Sequence, residues 1–351
     1  MPKQIILLAG LHKTATTSIQ QTCAANAKLL DEAGYVYPVS ELNGRWESNH
    51  TRIFNGLFRR EPHKSGLQAQ FIVNTERPPG ALEAFRAHFE QAIGDASRVI
   101  IAAEGVSLFD VDELRDMQQW FEQRDWQVRL VCHVRHLGAW TSSIVGQRVA
   151  GALRLPIATV VEEFRLHGSV VQRRIENLRT VFPDAEFFSH ERAVEDPQGP
   201  VGFFLRNIGF TPPPDMRFAR ANEGRSDCAT RVLSIVNEKF GGFDASGQAN
   251  PDVFEGPALQ KLLTQVGGQK FKLRHDEAQP LGSVLQAEND WLRQTLGQDF
   301  YDAQLEFKSA PWRWHPQTVQ QLQKALAAMP APVRDWVAAN LPRIGLQPPR
   351  R

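Results

Sequence analysis

"LLAGLHKTATTSIQ", residues 7–20, joins a buried-looking strand to the start of a helix through a polar, hydroxyl-rich turn. Ile5–Ala9 is a short aliphatic run with no turn former before Gly10, the pattern of a strand covered on both faces. Helical spacing begins at Thr16. Gly10, Lys13, Thr14, Thr16 and Thr17 therefore stand in the turn. A turn of this kind aims backbone N–H groups outward, and the helix dipole adds positive potential. Lys13 supplies a full charge and the threonines short donors, so the segment reads as a cradle for an anion, phosphate being the usual guest. Taken alone it also fits an ordinary N-cap, with Thr14 or Thr16 satisfying the first turn and Lys13 solvated.

The same alternation continues outward. Short runs rich in apolar residues recur at Val99–Ala103, Val128–Val134 and Glu186–Ser189, and helix-period stretches occupy Thr16–Ala33, Ala81–Ile93, Asp112–Arg124 and Val160–Phe182. Continuous apolar strands between amphipathic helices predict an α/β fold, a parallel sheet flanked by helices, with ligands at the edge where the strands end. Residues 1–310 read as this α/β domain. Within it, 40–80 is a long polar, aromatic-sprinkled excursion on the acceptor side of the ligand edge, and 241–257 is another loop. Residues 311–351 read as a helical extension.

The 351 residues carry a net charge of +1, which gives no global reason to expect nucleic acid or an acidic membrane surface as partner. Three scattered cysteines, Cys23, Cys132 and Cys228, suit reduced core thiols rather than a disulfide framework or a metal site. The apolar start is cut short by His12 and Lys13, and no run is long enough to span a bilayer. These features predict a cytoplasmic protein without a transmembrane segment. They leave the oligomeric state open.

The loop departs from the nucleotide-triphosphate pattern, which needs glycine directly before the lysine, where this chain has His12. A second anchor follows in "RLVCHVRHLGAWTSSIVGQ", residues 129–147. Arg135 ends an apolar strand and Ser143 stands about two helical turns beyond it. A planar guanidinium fork and a compact hydroxyl make a natural phosphate pair, although an arginine at a strand end also makes structural ion pairs.

"HKTATTSIQ", residues 12–20, resembles the 5′-phosphosulfate loop of sulfotransferases that use 3′-phosphoadenosine 5′-phosphosulfate. The bacterial form of that loop is HKTGTTSLQ, so Ala15 stands where glycine is usual. Arg135 and Ser143, with the aromatic Trp140 between them, resemble the family's 3′-phosphate motif. The resemblance covers residues 1–150 well and "RANEGRS", residues 220–226, more loosely. It implies the sulfotransferase fold and the phosphosulfate nucleotide as donor, with no metal. It also implies nucleotide contacts from Gly10, His12, Lys13, Thr14, Ala15, Thr16, Thr17, Arg135, Ser143, Arg220 and Arg225. Phe188 or His190, in "EFFSHERAVEDP", occupies the place of an aromatic near the adenine, with core packing as the competing role.

Transfer of a sulfuryl group to a hydroxyl needs a base within hydrogen-bond reach. Glu104, closing "RVIIAAEG", projects at the ligand edge, where it serves as base or orders the loop. His50, in "WESNHTRIF", is the other candidate. Lys13 stabilises the leaving phosphate. The bacterial form of the loop implies a carbohydrate, lipid-linked or small-molecule alcohol as acceptor, with Trp46, Phe54, Phe58 and Trp140 either shaping its pocket or packing in the core and loops. A P-loop kinase or nucleotide hydrolase, and a catalytically silent nucleotide-binding protein, remain as alternatives.

Overall fold

The computed structural model describes residues 3–42, 45–60, 81–151, 154–168, 170–221, 224–242, 256–305, 307–308 and 314–347. Most of the 40–80 excursion and of the 241–257 loop lies outside the described residues, as does Asn222. The chain divides into two compact units that interleave along the sequence. The first comprises Met1–His136, Val170–Asn222 and Trp291–Tyr301, and the second Leu137–Ser169, Glu223–Asp290 and Asp302–Arg351.

The first unit is built on a parallel sheet. Its strands are β1 (Lys3–Leu8), β4 (Arg98–Ala102), β5 (Trp126–Val134) and β6 (Glu186–Ser189), in the order β4-β1-β5-β6. Each lies within two residues of the run expected from the sequence. Leu8 pairs with Ala102 on one side and Val131 on the other, so β1 is an inner strand and its C-terminal end leads into the turn at Gly10. Ile5 to Leu8 are fully buried, which is why the run is aliphatic at consecutive positions rather than alternating. A two-stranded antiparallel ribbon, β2 (Ser40–Leu42) and β3 (Arg45–Glu47), stands apart from the sheet.

Two expected helices are broken. The stretch 16–33 forms α1 (Thr16–Ala25) and α2 (Ala27–Glu32) on either side of Asn26. The Asn26 side chain donates to Thr22 O at 2.7 Å and to Arg217 O at 2.8 Å. The stretch 160–182 is divided at Gly168, whose φ of 71° no helix accommodates. The apolar period runs through both breaks, so a period reading joins what the backbone separates.

α1 and the helix Gly199–Asn207 cover one sheet face, burying Ile6, Leu8, Ile19, Cys23, Val131 and Phe204 in one cluster. The helices α3 (Thr51–Phe58), α4 (Ala81–Ile93) and α5 (Val111–Glu122) gather Phe54, Phe58, Phe89, Trp120 and Phe121 into contact, with ring centroids 5.0–6.4 Å apart. The capping box at Asp110 and Glu113 starts α5 one residue ahead of the expected position.

The second unit is mainly helical. Its buried centre includes the helix Asp227–Phe240, where Asp227 accepts from Arg231 Nε at 2.9 Å and Lys308 Nζ at 2.7 Å. Cys23, Cys132 and Cys228 are buried free thiols, as the composition suggested. Among the described residues no helix is long and apolar enough to cross a membrane.

Candidate functional site

The turn after β1 does not leave the sheet at once. Ala9 N–H donates to Val131 O and Leu11 N–H to His133 O, while Gly10 O accepts from His133 N–H at 2.7 Å. The loop thus stays docked along β5 as far as Leu11. Gly10 has φ +107°, and a Cβ there would approach Glu104 O to 3.2 Å, so glycine allows the turns after β1 and β4 to touch. Thr14 is fully buried, and its hydroxyl donates to Leu11 O at 2.5 Å, closing the loop from inside.

Two residues without glycine's freedom adopt left-handed backbone here: Lys13 at φ 69° and Ala15 at φ 66°. Conformations of this kind cluster where function over-determines the backbone. Ala15 is the N-cap of α1, has no side-chain oxygen, and makes no capping bond. There is no acidic residue in the first turn of α1. Ile19 N–H is the first to reach a carbonyl of its own helix, that of Ala15, which leaves the N–H groups of Thr16, Thr17 and Ser18 outside the helical ladder. Capping by Thr14 or Thr16 is ruled out by where their hydroxyls go. Thr14 bonds Leu11, and Thr16 Oγ1 donates a hydrogen bond to Glu104 Oε2.

Glu104 begins a 3-10 turn, Glu104–Leu108, directly after β4 and Ala103. Ala103 N–H donates to Leu8 O, and Gly105 N–H donates to Thr51 Oγ1 at 3.1 Å, which fixes the turn on both sides. The carboxylate therefore stands over the first turn of α1, as its place at a strand end predicts. It acts electrostatically on both Lys13 and His12.

Arg135 leaves the end of β5 and its Nη1 donates to Lys13 O at 3.4 Å. Its Nε is buried with no hydrogen-bond partner among the described residues. Burial depresses the pKa of both cations. For Lys13, Glu104 opposes the depression and Arg135 adds to it; for Arg135, Glu191 opposes it. His12 is held at about 4 by burial, opposed by Glu104 and reinforced by Arg174 and Lys13, so its ring is neutral at pH 7. The loop is thus a place where two cations are brought together, partly desolvated, beside the positive end of a helix.

One expected residue has other surroundings. His50 is buried and both of its ring nitrogens are engaged by backbone: Nδ1 accepts from Ala102 N–H at 3.0 Å, and Nε2 lies 2.6 Å from Pro38 O. Burial lowers its pKa to about 4. A ring held in this way has no nitrogen to offer an acceptor hydroxyl, which corrects the expectation of His50 as base. Ser143 and Arg225 belong to the second unit. Ser143 is partly exposed on the helix Leu137–Ala150, and Arg225 Nη2 donates to Gln260 Oε1 at 3.3 Å.

Arg220 is exposed, and its neighbours Ala219 and Ala221 donate their N–H groups to Thr22 Oγ1 and Ser18 Oγ, at 2.9 and 3.1 Å. Thr17 is partly exposed in the first turn of α1. Phe188 packs edge-on against His133 and Phe203, the core role weighed for it. His190 is buried, and its pKa falls to about 3 through burial, Arg135 and two neighbouring histidines. Phe54 and Phe58 belong to the aromatic cluster, Trp140 packs near Phe164 in the second unit, and the Trp46 side chain is outside the described residues.

Sequence reasoning passed over Arg174, which acts on His12, and Glu191, which faces Arg135 and accepts from His136 N–H at 3.2 Å. Both stand in helices whose local pattern is that of a solvated face, so nothing nearby in sequence marks them. Among the described residues no group of three His, Cys, Asp or Glu side chains is arranged to hold a metal ion. Compared with family models, curated proteins and solved structures, the chain matches none.

Proposed function

We propose that the chain is a sulfotransferase moving a sulfuryl group from 3′-phosphoadenosine 5′-phosphosulfate to the hydroxyl of a carbohydrate, lipid-linked or small-molecule acceptor. The sheet is then that of the sulfotransferase fold and the protein cytoplasmic. One observation carries the reading: the uncapped N-terminus of α1 meets Lys13 and Arg135, two cations whose charged forms burial disfavours. Such an assembly gains most when a multiply charged anion enters it. The loop resemblance supports the phosphosulfate nucleotide as that anion.

Glu104 is the base in this reading. One carboxylate oxygen is held by Thr16, which orients the group over the loop. Glu104 takes the acceptor's proton as the acceptor oxygen bonds to sulfur. The bond from sulfur to the 5′-phosphate oxygen breaks, and Lys13 meets the charge that grows on that oxygen. The products are the sulfate ester and 3′,5′-adenosine bisphosphate. Arg135 adds a second cation for the nucleotide.

Calorimetric binding of 3′,5′-adenosine bisphosphate, beside 5′-AMP and magnesium-ATP, tests the donor class. Preference for the bisphosphate by about tenfold or more is expected. Preference for magnesium-ATP would replace the reading with a kinase or nucleotide hydrolase, and bisphosphate binding without sulfuryl transfer to any hydroxyl would leave a silent nucleotide-binding protein. At saturating donor, Glu104→Gln should lower turnover by about 100-fold or more. An unchanged rate would remove Glu104 as base.

A further inference from the structure

Three polar residues on one side of α1, Ser18, Thr22 and Asn26, recur every four residues. Opposite them runs the segment 217–221. Ser18 Oγ accepts from Ala221 N–H at 3.1 Å, Thr22 Oγ1 from Ala219 N–H at 2.9 Å, and Asn26 Oδ1 from Arg217 N–H at 3.1 Å. Asn26 Nδ2 returns a bond to Arg217 O at 2.8 Å. The match is one of repeats. Four residues of helix advance about 6 Å, and two residues of extended chain advance about 6.5 Å. A ridge of side chains on the helix can therefore serve every second N–H of a chain running the opposite way.

The pairing has a direction. Arg217 is fixed at the C-terminal end of α1 and Ala221 at Ser18, the third residue of the helix. The segment thus runs towards the loop that carries Lys13. Phe218 packs against the sheet-face cluster, which holds the segment down midway. Arg220 lies between the two residues tied to Thr22 and Ser18, so its main chain is fixed from both sides along the first two turns of α1. A cation at the positive end of a helix is unfavourable by itself and becomes favourable once an anion is bound there.

We propose that Ser18, Thr22 and Asn26 form a positioning ridge whose task is to hold Arg220 at the mouth of the Lys13 loop as a further cation for the bound anion. The inference rests on the sulfotransferase reading only in taking a phosphate-bearing nucleotide as that anion. Thr22 is the residue to perturb, because it is buried, lies in the second turn of α1 rather than in the loop, and its hydroxyl acts on Arg220 through the main chain of Ala219.

The experiment is a double-mutant cycle on the full chain, read as the calorimetric affinity for 3′,5′-adenosine bisphosphate. T22V keeps the shape of the side chain and removes the acceptor oxygen, T22S keeps the oxygen, and R220A removes the cation. T22V should weaken binding about fivefold, the scale of one hydrogen bond, and speed hydrogen exchange at the Ala219 amide. T22S should restore both, and in the R220A background T22V should have no further effect on affinity. Equal weakening by T22V with and without Arg220 overturns the proposal, since the ridge would then act on α1 itself. So does unchanged affinity of T22V alongside faster exchange at Ala219. Those two results leave the sulfotransferase reading intact. A parent protein that does not bind the bisphosphate removes both that reading and the anion that Arg220 is held to meet.

Discussion

His133 permits a prediction whose size follows from its surroundings. It lies in β5, is fully buried, and neither ring nitrogen has a hydrogen-bond partner among the described residues. Phe188, Phe203 and Phe204 meet it edge-on with centroids 5.9–6.4 Å away. Replacing it by leucine, of similar volume, removes two stranded polar atoms, a gain of about 1–3 kcal/mol at neutral pH. A second contribution depends on pH. Burial holds the folded-state pKa at about 4, below the ordinary 6.5, so the unfolded chain binds the proton more readily. Stability is lost as pH falls from 6.5 towards 4, and linkage puts the loss near 2 kcal/mol by pH 5. His133→Leu lacks this loss, whereas contributions from His12 and His50 are common to both proteins and cancel. Urea unfolding at pH 8 and pH 5 measures the difference. The stability gap should widen by about 2 kcal/mol at the lower pH; a gap that stays constant would show that His133 is hydrated or hydrogen-bonded in the folded protein, and the reasoning would fail.

Two further substitutions address the loop. Ala15→Gly should stabilise the protein by about 0.5–1 kcal/mol, because relief of left-handed backbone at φ 66° outweighs the extra freedom of glycine in the unfolded chain; a lower urea midpoint would mean that the Ala15 methyl is held by packing worth more than the strain. Lys13→Met should raise stability by roughly 1 kcal/mol near pH 7 while abolishing bisphosphate binding. The native pKa of Lys13 lies below its ordinary 10.5, so the parent's deficit is present at neutral pH and disappears as pH rises towards 10.5. Thermal unfolding from pH 7 to 10 should show the two proteins converging, and a variant less stable than the parent at pH 7 would contradict the account of Lys13 as a disfavoured cation.

The strands were legible because a parallel sheet covered on both faces leaves runs of mostly apolar residues, and Ile5–Ala9, Val99–Ala103 and Val128–Val134 have few other uses. The loop was legible for a related reason: Gly10, Lys13 and the threonines sit where a strand end and a helix start expose N–H groups together. Glu104 could be placed at the ligand edge from its position after β4. Its bond to Thr16, across 88 residues, could not. His50 was misread because a histidine's role depends on what its nitrogens touch, and Pro38 and Ala102 come to it only through folding. The ridge on α1 was overlooked because Ser18, Thr22 and Asn26 look like a solvated helix face until the segment at 217–221 is laid along them.

His50 has a consequence beyond its own neighbourhood. β4 is the outermost strand of its sheet, and such a strand offers a row of backbone groups on which another chain can template. Arg98 O accepts from Val36 N–H and Ile100 N–H donates to Val36 O, both at 2.9 Å. At Ala102 the role passes to His50, whose ring accepts the strand's N–H and whose own N–H meets its carbonyl at 3.1 Å. The imidazole is a stand-in for one residue of a fifth strand. It finishes the blunting that Val36 begins, so the residue that looked like chemistry in the sequence protects the folded chain against stacking with its own copies.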